Sequence, residues 1–311
     1  ATDRAQSTGS LKIKTDTRNA QRTLLLENGT VKTENGGQIN LSGSLELFQN
    51  QKLAAEIESR SFNPAKLHPA LPEGSISGHI KAAGELAKQA VRTEIQLAPS
   101  TLSGAPLSGS GTIDYQNAHL SRADTAIRLG NNLISTKGAF GKRGDTLALD
   151  INAPDLGRFG FGLKGLLTAK GSLTNTADGF AKLEADLAGQ ARGFALGDAL
   201  HVQTLDFKAK ASPDPAAPLN LTLSGSGISA GGTAIDKISA LLDGTRQQHR
   251  LRAEGSLKID GKPLNLTLAA NGGLTGQNQW QGSIGELNIA GALNLKLQNA
   301  MRLDAGAEQI S

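Results

Sequence analysis

Apolar and polar residues alternate one by one along most of this 311-residue chain. Ile39, Leu41, Leu45 and Leu47 share one parity, as do Leu147, Leu149 and Ile151. Leu219, Leu221 and Leu223 alternate with Asn220 and Thr222, and Leu264, Leu266 and Leu268 with Asn265 and Thr267. Leu287 and Ile289 flank Asn288, and Leu293, Leu295 and Leu297 enclose Asn294 and Lys296. A strand points successive side chains to opposite faces, so each run predicts a strand with one aliphatic and one solvated face. Glycine-rich turn signals separate the runs: Asn35-Gly36-Gly37, Gly130-Asn131-Asn132, Gly231-Gly232, Asp260-Gly261 and Asn271-Gly272-Gly273. The expected fold class is all-β. Helix is confined to short candidate stretches at 63–71 and 154–161, both interrupted by proline or glycine, and at Ile235–Leu242.

At about 12 residues per strand and turn the chain holds on the order of 25 strands, and open sheets beyond about ten strands curl, split or close. The aliphatic faces must therefore meet a second sheet, the same sheet folded on itself, or a ligand. Composition bears on the choice. The chain has 45 Leu and 17 Ile but 3 Val, with 38 Gly and only 3% aromatic residues. Leucine is a poor strand residue by propensity, and a dry sandwich core favours β-branched and aromatic side chains. Long flexible alkyl groups on one face suit a trough lining; dense packing of two sheets is the competing explanation.

Several function classes are excluded at this level. Without cysteine there is no disulfide framework, thiolate metal site or cysteine nucleophile. No apolar run approaches the roughly 18 residues of a membrane-spanning helix. The net charge of +4 is spread along the chain, whereas nucleic-acid binding needs a concentrated basic face and stacking aromatics. The five histidines, His68, His79, His119, His201 and His249, form no metal-ligand spacing. Gly160, Gly162 and Gly165 spell GxGxxG. Gly225, Gly227 and Ala230 spell GxGxxA, with Asp243 downstream, and Gly227 to Gly231 fits GxSxG. The second and third of these need a helix to begin at the glycines, where Gly231-Gly232 would break it. Asn220 and Asn265 begin Asn-Leu-Thr triplets that alternation explains as outward strand residues. The single Trp280 is read as a strand-end packing residue or interface anchor. No enzyme, metal or cofactor is expected.

The chain also repeats. Gly78 to Leu86 (GHIKAAGEL) aligns without gaps on Gly165 to Leu173 (GLLTAKGSL), each preceded by an alternating strand and a bend at Pro64 or Pro154. The expected organisation is one continuous repetitive β domain over 1–311, with units of about 90 residues around 30–120 and 120–210 and further strands over 211–311. Pro213 to Pro218 is read as a surface loop between strands.

Two stretches carry a family resemblance. Asn132 to Gly141 (NLISTKGAFG), Leu147 to Leu156 (LALDINAPDL) and Gly165 to Leu173, followed by Leu241-Leu242-Asp243-Gly244-Thr245, His249 to Leu251, Gly255 to Leu257, Leu264 to Leu268 and Trp280 to Ile284, resemble in order and spacing the repeats of the TamB family of Gram-negative bacteria. The resemblance covers roughly 30–300 and implies a β-taco, a sheet bent into a trough with an aliphatic lining. It implies a periplasmic protein, anchored in the inner membrane and reaching the outer one, of which this chain is an internal fragment. It implies a conduit for phospholipids between the two membranes, outer-membrane homeostasis, and autotransporter assembly with the outer-membrane barrel TamA. The leucines and isoleucines named above are then the candidate groove lining, with acyl chains as ligand. The alternatives are a secreted β-solenoid adhesin or structural protein, a β-helical polysaccharide enzyme, and a chaperone trough for unfolded β-barrel strands.

Overall fold

The computed structural model describes residues 6–16, 21–33, 37–48, 50–68, 70–179, 182–259, 261–275 and 279–306. The chain forms two compact units, 1–161 with 177–180, and 162–176 with 181–311. The first is built from β1 (Gln6–Asp16), β2 (Gln21–Lys32), β3 (Gln38–Glu46), β4 (Lys52–Phe62), β5 (Gly74–Glu85), β6 (Ala90–Leu102), β7 (Ala105–Gln116), β8 (His119–Leu129), β9 (Asn132–Phe140) and β10 (Thr146–Ala153). The second contains β11 (Leu163–Asn175), β12 (Leu183–Leu196), β13 (Leu200–Ala211), β14 (Pro218–Ala230), β15 (Thr233–Thr245), β16 (His249–Ile259), β17 (Lys262–Leu274), β18 (Trp280–Gly291), β19 (Leu295–Lys296) and β20 (Met301–Ala305). Within each unit every pairing is antiparallel and follows chain order, with β18 receiving both β19 and β20. Among the described residues no ladder joins β1 to β10, so the first sheet is open. Meandering antiparallel pairing also excludes the parallel coils of a β-solenoid or β-helix.

Short turns produce the meander. Gly231 and Gly232 take φ of 55° and 84°, the left-handed pair that a two-residue hairpin requires. Gly130-Asn131 turns β8 into β9 as expected. Asn35, Gly36 and Asp260 lie outside the described residues. Asn271-Gly272-Gly273 does not turn the chain; it lies inside β17. There glycine serves close approach, because a Cβ on Gly272 would stand 2.5 Å from Cζ2 of Trp280 and 2.6 Å from the Gln281 carbonyl oxygen. Ile235–Leu242 is likewise strand, not helix. A bulge between Ile235 and Lys237 shifts the parity by one, so Ile235 and Ile238, three apart, face the same way.

Among the described residues, helical turns are limited to 3₁₀ segments at Pro64–Lys66, Leu86–Lys88 and Leu156–Phe159. The first and third fall in the two predicted bends, and both precede the aligned repeat segments. Gly78 and Gly84 in β5 correspond to Gly165 and Gly171 in β11. A side chain at each would run into the neighbouring strand's backbone, at Gln96, Ala90, Gly193 and Asp186 respectively. The sequence repeat is thus a repeat of strand, proline turn and close-packed strand. The copies diverge at their ends, where Leu86 opens a 3₁₀ turn and Leu173 continues its strand.

Bulges bend the first sheet along a line. Register shifts fall between Ser59 and Phe62, Ser75 and Gly78, and Leu97 and Ser100, on three consecutive strands. Each leaves backbone groups without ladder partners, and serines supply them. The Ser61 and Ser77 amides donate to the Ser77 and Ser100 hydroxyls at 2.9 Å, and the Ser59 hydroxyl donates to the Ile76 carbonyl at 2.7 Å. Beyond this line the strand ends meet the turn Leu156–Phe159. Ala105, Leu107 and Leu129 form a buried cluster with Ile76, Leu97, Leu102 and Phe159 packed on it, and Leu156 is buried nearby. Asn132 pins the segment in place. Fully buried, it donates to the carbonyls of Leu129 and Asp155 at 3.0 and 2.8 Å and accepts from the Asp155 amide at 2.9 Å. Asn132→Ala leaves these three groups without their partner, and the expected cost is about 2–3 kcal/mol, read from the midpoint of a urea melt; an unchanged midpoint contradicts the clamp.

Candidate functional site: a two-faced sheet with an open aliphatic side

Register decides which side chains share a face. In the first unit Leu41 pairs with Ile57, Ile57 with Ile80, and Ile80 with Ile95. A parallel row links Gly43, Ala55, Ala82, Thr93 and Ile113, and a third links Leu45, Leu53, Gly84, Val91 and Tyr115. The face continues through Ile127, Ile134 and Ile151 to the last strand of the unit. The opposite face is charged. Glu56 pairs with Lys81 and Lys81 with Glu94, with 3.3 Å between the Lys81 ammonium and the Glu56 carboxylate. Such exposed pairs each contribute less than about 1 kcal/mol; their larger effect is to keep this side in water and thereby specify the register.

The second unit repeats the pattern. Leu221, Leu242, Leu251, Ala270 and Ile284 form one row, and Phe207, Leu223, Ala240, Ala253, Leu268 and Leu287 another. The opposite face carries Asp186 against Lys210, 3.5 Å apart, and Arg192 against Asp206, 2.6 Å apart.

In the first unit the aliphatic face is covered at the turn Leu156–Phe159, and in the second unit Ala191, Ala195, Val202 and Ala270 are buried. Of the 45 leucines, only Leu107, Leu129 and Leu156 are buried among the described residues. Ile57 and Ile80 each remain 37% exposed. Over β2 to β4 the face is concave, with a groove of about 260 Å³ lined chiefly by Leu24, Leu26, Leu41, Leu45, Leu53 and Ile57. A larger concavity of about 530 Å³ is formed by β2 to β5 on the charged side, around Leu25, Ser42, Ser44, Ala54, Glu56 and Lys81.

Most of the expected lining residues occupy this face. Ile39, Leu41 and Leu45 lie in β3, Leu147, Leu149 and Ile151 in β10, Leu219, Leu221 and Leu223 in β14, Leu264, Leu266 and Leu268 in β17, and Leu287 and Ile289 in β18. Leu47 lies just past β3, its amide donating to the Arg22 carbonyl at 2.7 Å. The run Leu293 to Leu297 is not a full strand. Only Leu295 and Lys296 pair, Leu293 sits in a bend at 55% exposure, and the Leu297 amide donates to the Leu287 carbonyl at 2.8 Å. Its alternation is real, but the Gly291 amide donates to Asn294 Oδ1 at 3.2 Å, and the first half of the run lies in a bend instead of along the edge of β18. Alternation alone does not single out Leu53, Ile57, Ile80 and Ile95, because the alanines and glycines between them dilute the pattern. The usable signal is the opposite parity, where Glu56, Glu58, Lys81 and Glu94 recur.

The glycine motifs make no cofactor site. Gly225 and Gly227 lie within β14 and lead through a hairpin into β15, and Gly165 lies within β11. Among the described residues no group of three or more His, Asp or Glu is placed to hold a metal ion.

Repetitive, open antiparallel sheets with one aliphatic and one charged face define a class of trough-forming all-β proteins. The chain belongs to the TamB family: the family model for the TamB N-terminal domain matches residues 4–311. No curated protein and no solved structure matches it.

Exposure of the aliphatic rows has a measurable consequence. Ile80→Ala is expected to cost about 1 kcal/mol or less, the scale of a half-exposed strand position, whereas Leu129→Ala in the covered cluster costs about 2–5 kcal/mol. Urea melts of the two variants distinguish them; equal, large losses would show a closed core.

Proposed function

We propose that this TamB-family domain is a hydrophobic conduit that carries phospholipid through the periplasm between the inner and outer membranes, by binding and not by catalysis. The observation that carries this reading is the aliphatic face of each unit, whose leucines and isoleucines are mostly half-buried instead of packed into a core. Transferring two acyl chains through water costs on the order of 20 kcal/mol at about 0.8 kcal/mol per CH₂. An aliphatic surface removes most of that cost. Hydrophobic burial is non-directional, and the rows repeat at the strand spacing of roughly 4.8 Å, so a chain exchanges one row for the next without leaving a specific site. The charged face keeps the sheet hydrated on its other side.

Family membership supports an envelope location, and among the described residues no helix is long and apolar enough to cross a membrane. A role in outer-membrane homeostasis and autotransporter assembly, with an outer-membrane barrel such as TamA as partner of the full-length protein, follows from the family resemblance and is part of the proposal.

Neighbouring residues on opposite faces provide the test. A photo-crosslinking residue at Ile80 is expected to capture phospholipid in cells, while the same residue at Lys81 is not. Capture at Lys81 alone would refute the conduit, and capture of unfolded polypeptide at Ile80 would favour the chaperone trough. Leu266→Asp or Leu149→Asp should lower the amount of lipid retained in native mass spectrometry of folded protein; unchanged lipid removes that position from the lining.

A further inference from the structure

In the second unit the polar groups on the aliphatic face of β13 to β18 lie at strand ends, and their positions orient a bound amphiphile. In the second unit the apolar-parity positions of β13 to β18 carry only Leu, Ile, Val, Phe, Ala and Gly between their ends. His249, which opens β16, and Trp280, which opens β18, share that parity. The indole lies flat on a floor without side chains, because Cβ atoms on Gly272 and Gly282 would meet its ring at 2.5 and 2.6 Å. Its Nε1–H donates to His249 Nε2 at 2.9 Å, and His249 Nδ1 lies 3.1 Å from the Thr245 carbonyl. Nε2 must accept, so Nδ1 carries the proton and donates to Thr245. The pair thus presents an apolar surface inward and a satisfied polar edge at the strand end, as interfacial tryptophans do at the boundary between hydrocarbon and headgroups.

The first unit has the same polarity with its far end visible. Along β7 the aliphatic face runs from Leu107, buried beneath Leu156–Phe159, to Tyr115, 40% exposed at the other end. One end is closed by hydrocarbon, and the other is open and carries a phenol. Dimensions agree. From Leu251 to Leu257 the apolar side of β16 runs over six residue steps, roughly 20 Å at 3.3–3.4 Å each. The acyl layer of one leaflet is roughly 15 Å, half of the ~30 Å hydrocarbon core.

We propose that each unit holds phospholipid acyl chains along its strands, with the glycerol-ester level at Tyr115 in the first unit and at the Trp280–His249 pair in the second. This placement rests on the phospholipid reading of the aliphatic face.

Trp280 is the only tryptophan in the chain, so its fluorescence reports one position. The intact protein is loaded from vesicles of phosphatidylcholine dibrominated either close to the ester or close to the chain terminus, with loading verified by native mass spectrometry. Ester-proximal bromines should abolish most of the emission and terminal bromines spare most of it. The double variant Trp280→Phe, Tyr115→Trp should show the same order. Equal quenching, the reverse order, or no quenching in lipid-loaded protein overturns the placement and leaves the conduit standing. Failure to load any phospholipid overturns both.

Discussion

Register in a two-faced antiparallel ladder is the constraint from which everything else follows. Each strand must hydrogen-bond to the next, and a slip of one residue would move a strand's aliphatic set onto the charged face and its charges onto the aliphatic one. The ladders that align Leu41 with Ile57, Ile80 and Ile95 on one face also align Glu56 with Lys81 and Glu94 on the other. The exposed ion pairs add little stability individually. Their contribution is to make the wrong register costly over many strands at once.

Stability draws on only part of the aliphatic face. Where bulges at Ser59–Phe62, Ser75–Gly78 and Leu97–Ser100 bend the sheet, the strand ends close over Leu156 and Phe159 and form an ordinary dry cluster held by Asn132. Elsewhere among the described residues the leucines and isoleucines stay at least partly accessible. A domain of this kind is stabilised mainly by ladders between neighbours, so it can leave aliphatic surface uncovered that a sandwich would need for its core. That surface is available to alkyl chains because folding does not consume it.

Much of this was legible in the residues. Period-two alternation identified the strands and the aliphatic-face positions in β3, β10, β14, β17 and β18, and the glycine-proline repeat located the two turns that precede β5 and β11. Three features were not legible, each for a physical reason. Ile235–Leu242 has helical spacing because a bulge shifts the strand's parity. Asn271-Gly272-Gly273 has turn composition because an indole ring needs bare backbone beneath it. Leu293 to Leu297 alternates like a strand, yet a bend held by the Asn294 side chain leaves only Leu295 and Lys296 paired with β18.

The sequence by itself determined the fold class, the division of each strand into an aliphatic and a polar side, and the family, because side-chain alternation is a local property of extended backbone. Only the tertiary structure decided which strands are neighbours, where the face closes and where it stays open, and that His249 and Trp280, 31 residues apart, meet across Gly272. Those facts depend on bulges and register between strands, which no single strand encodes.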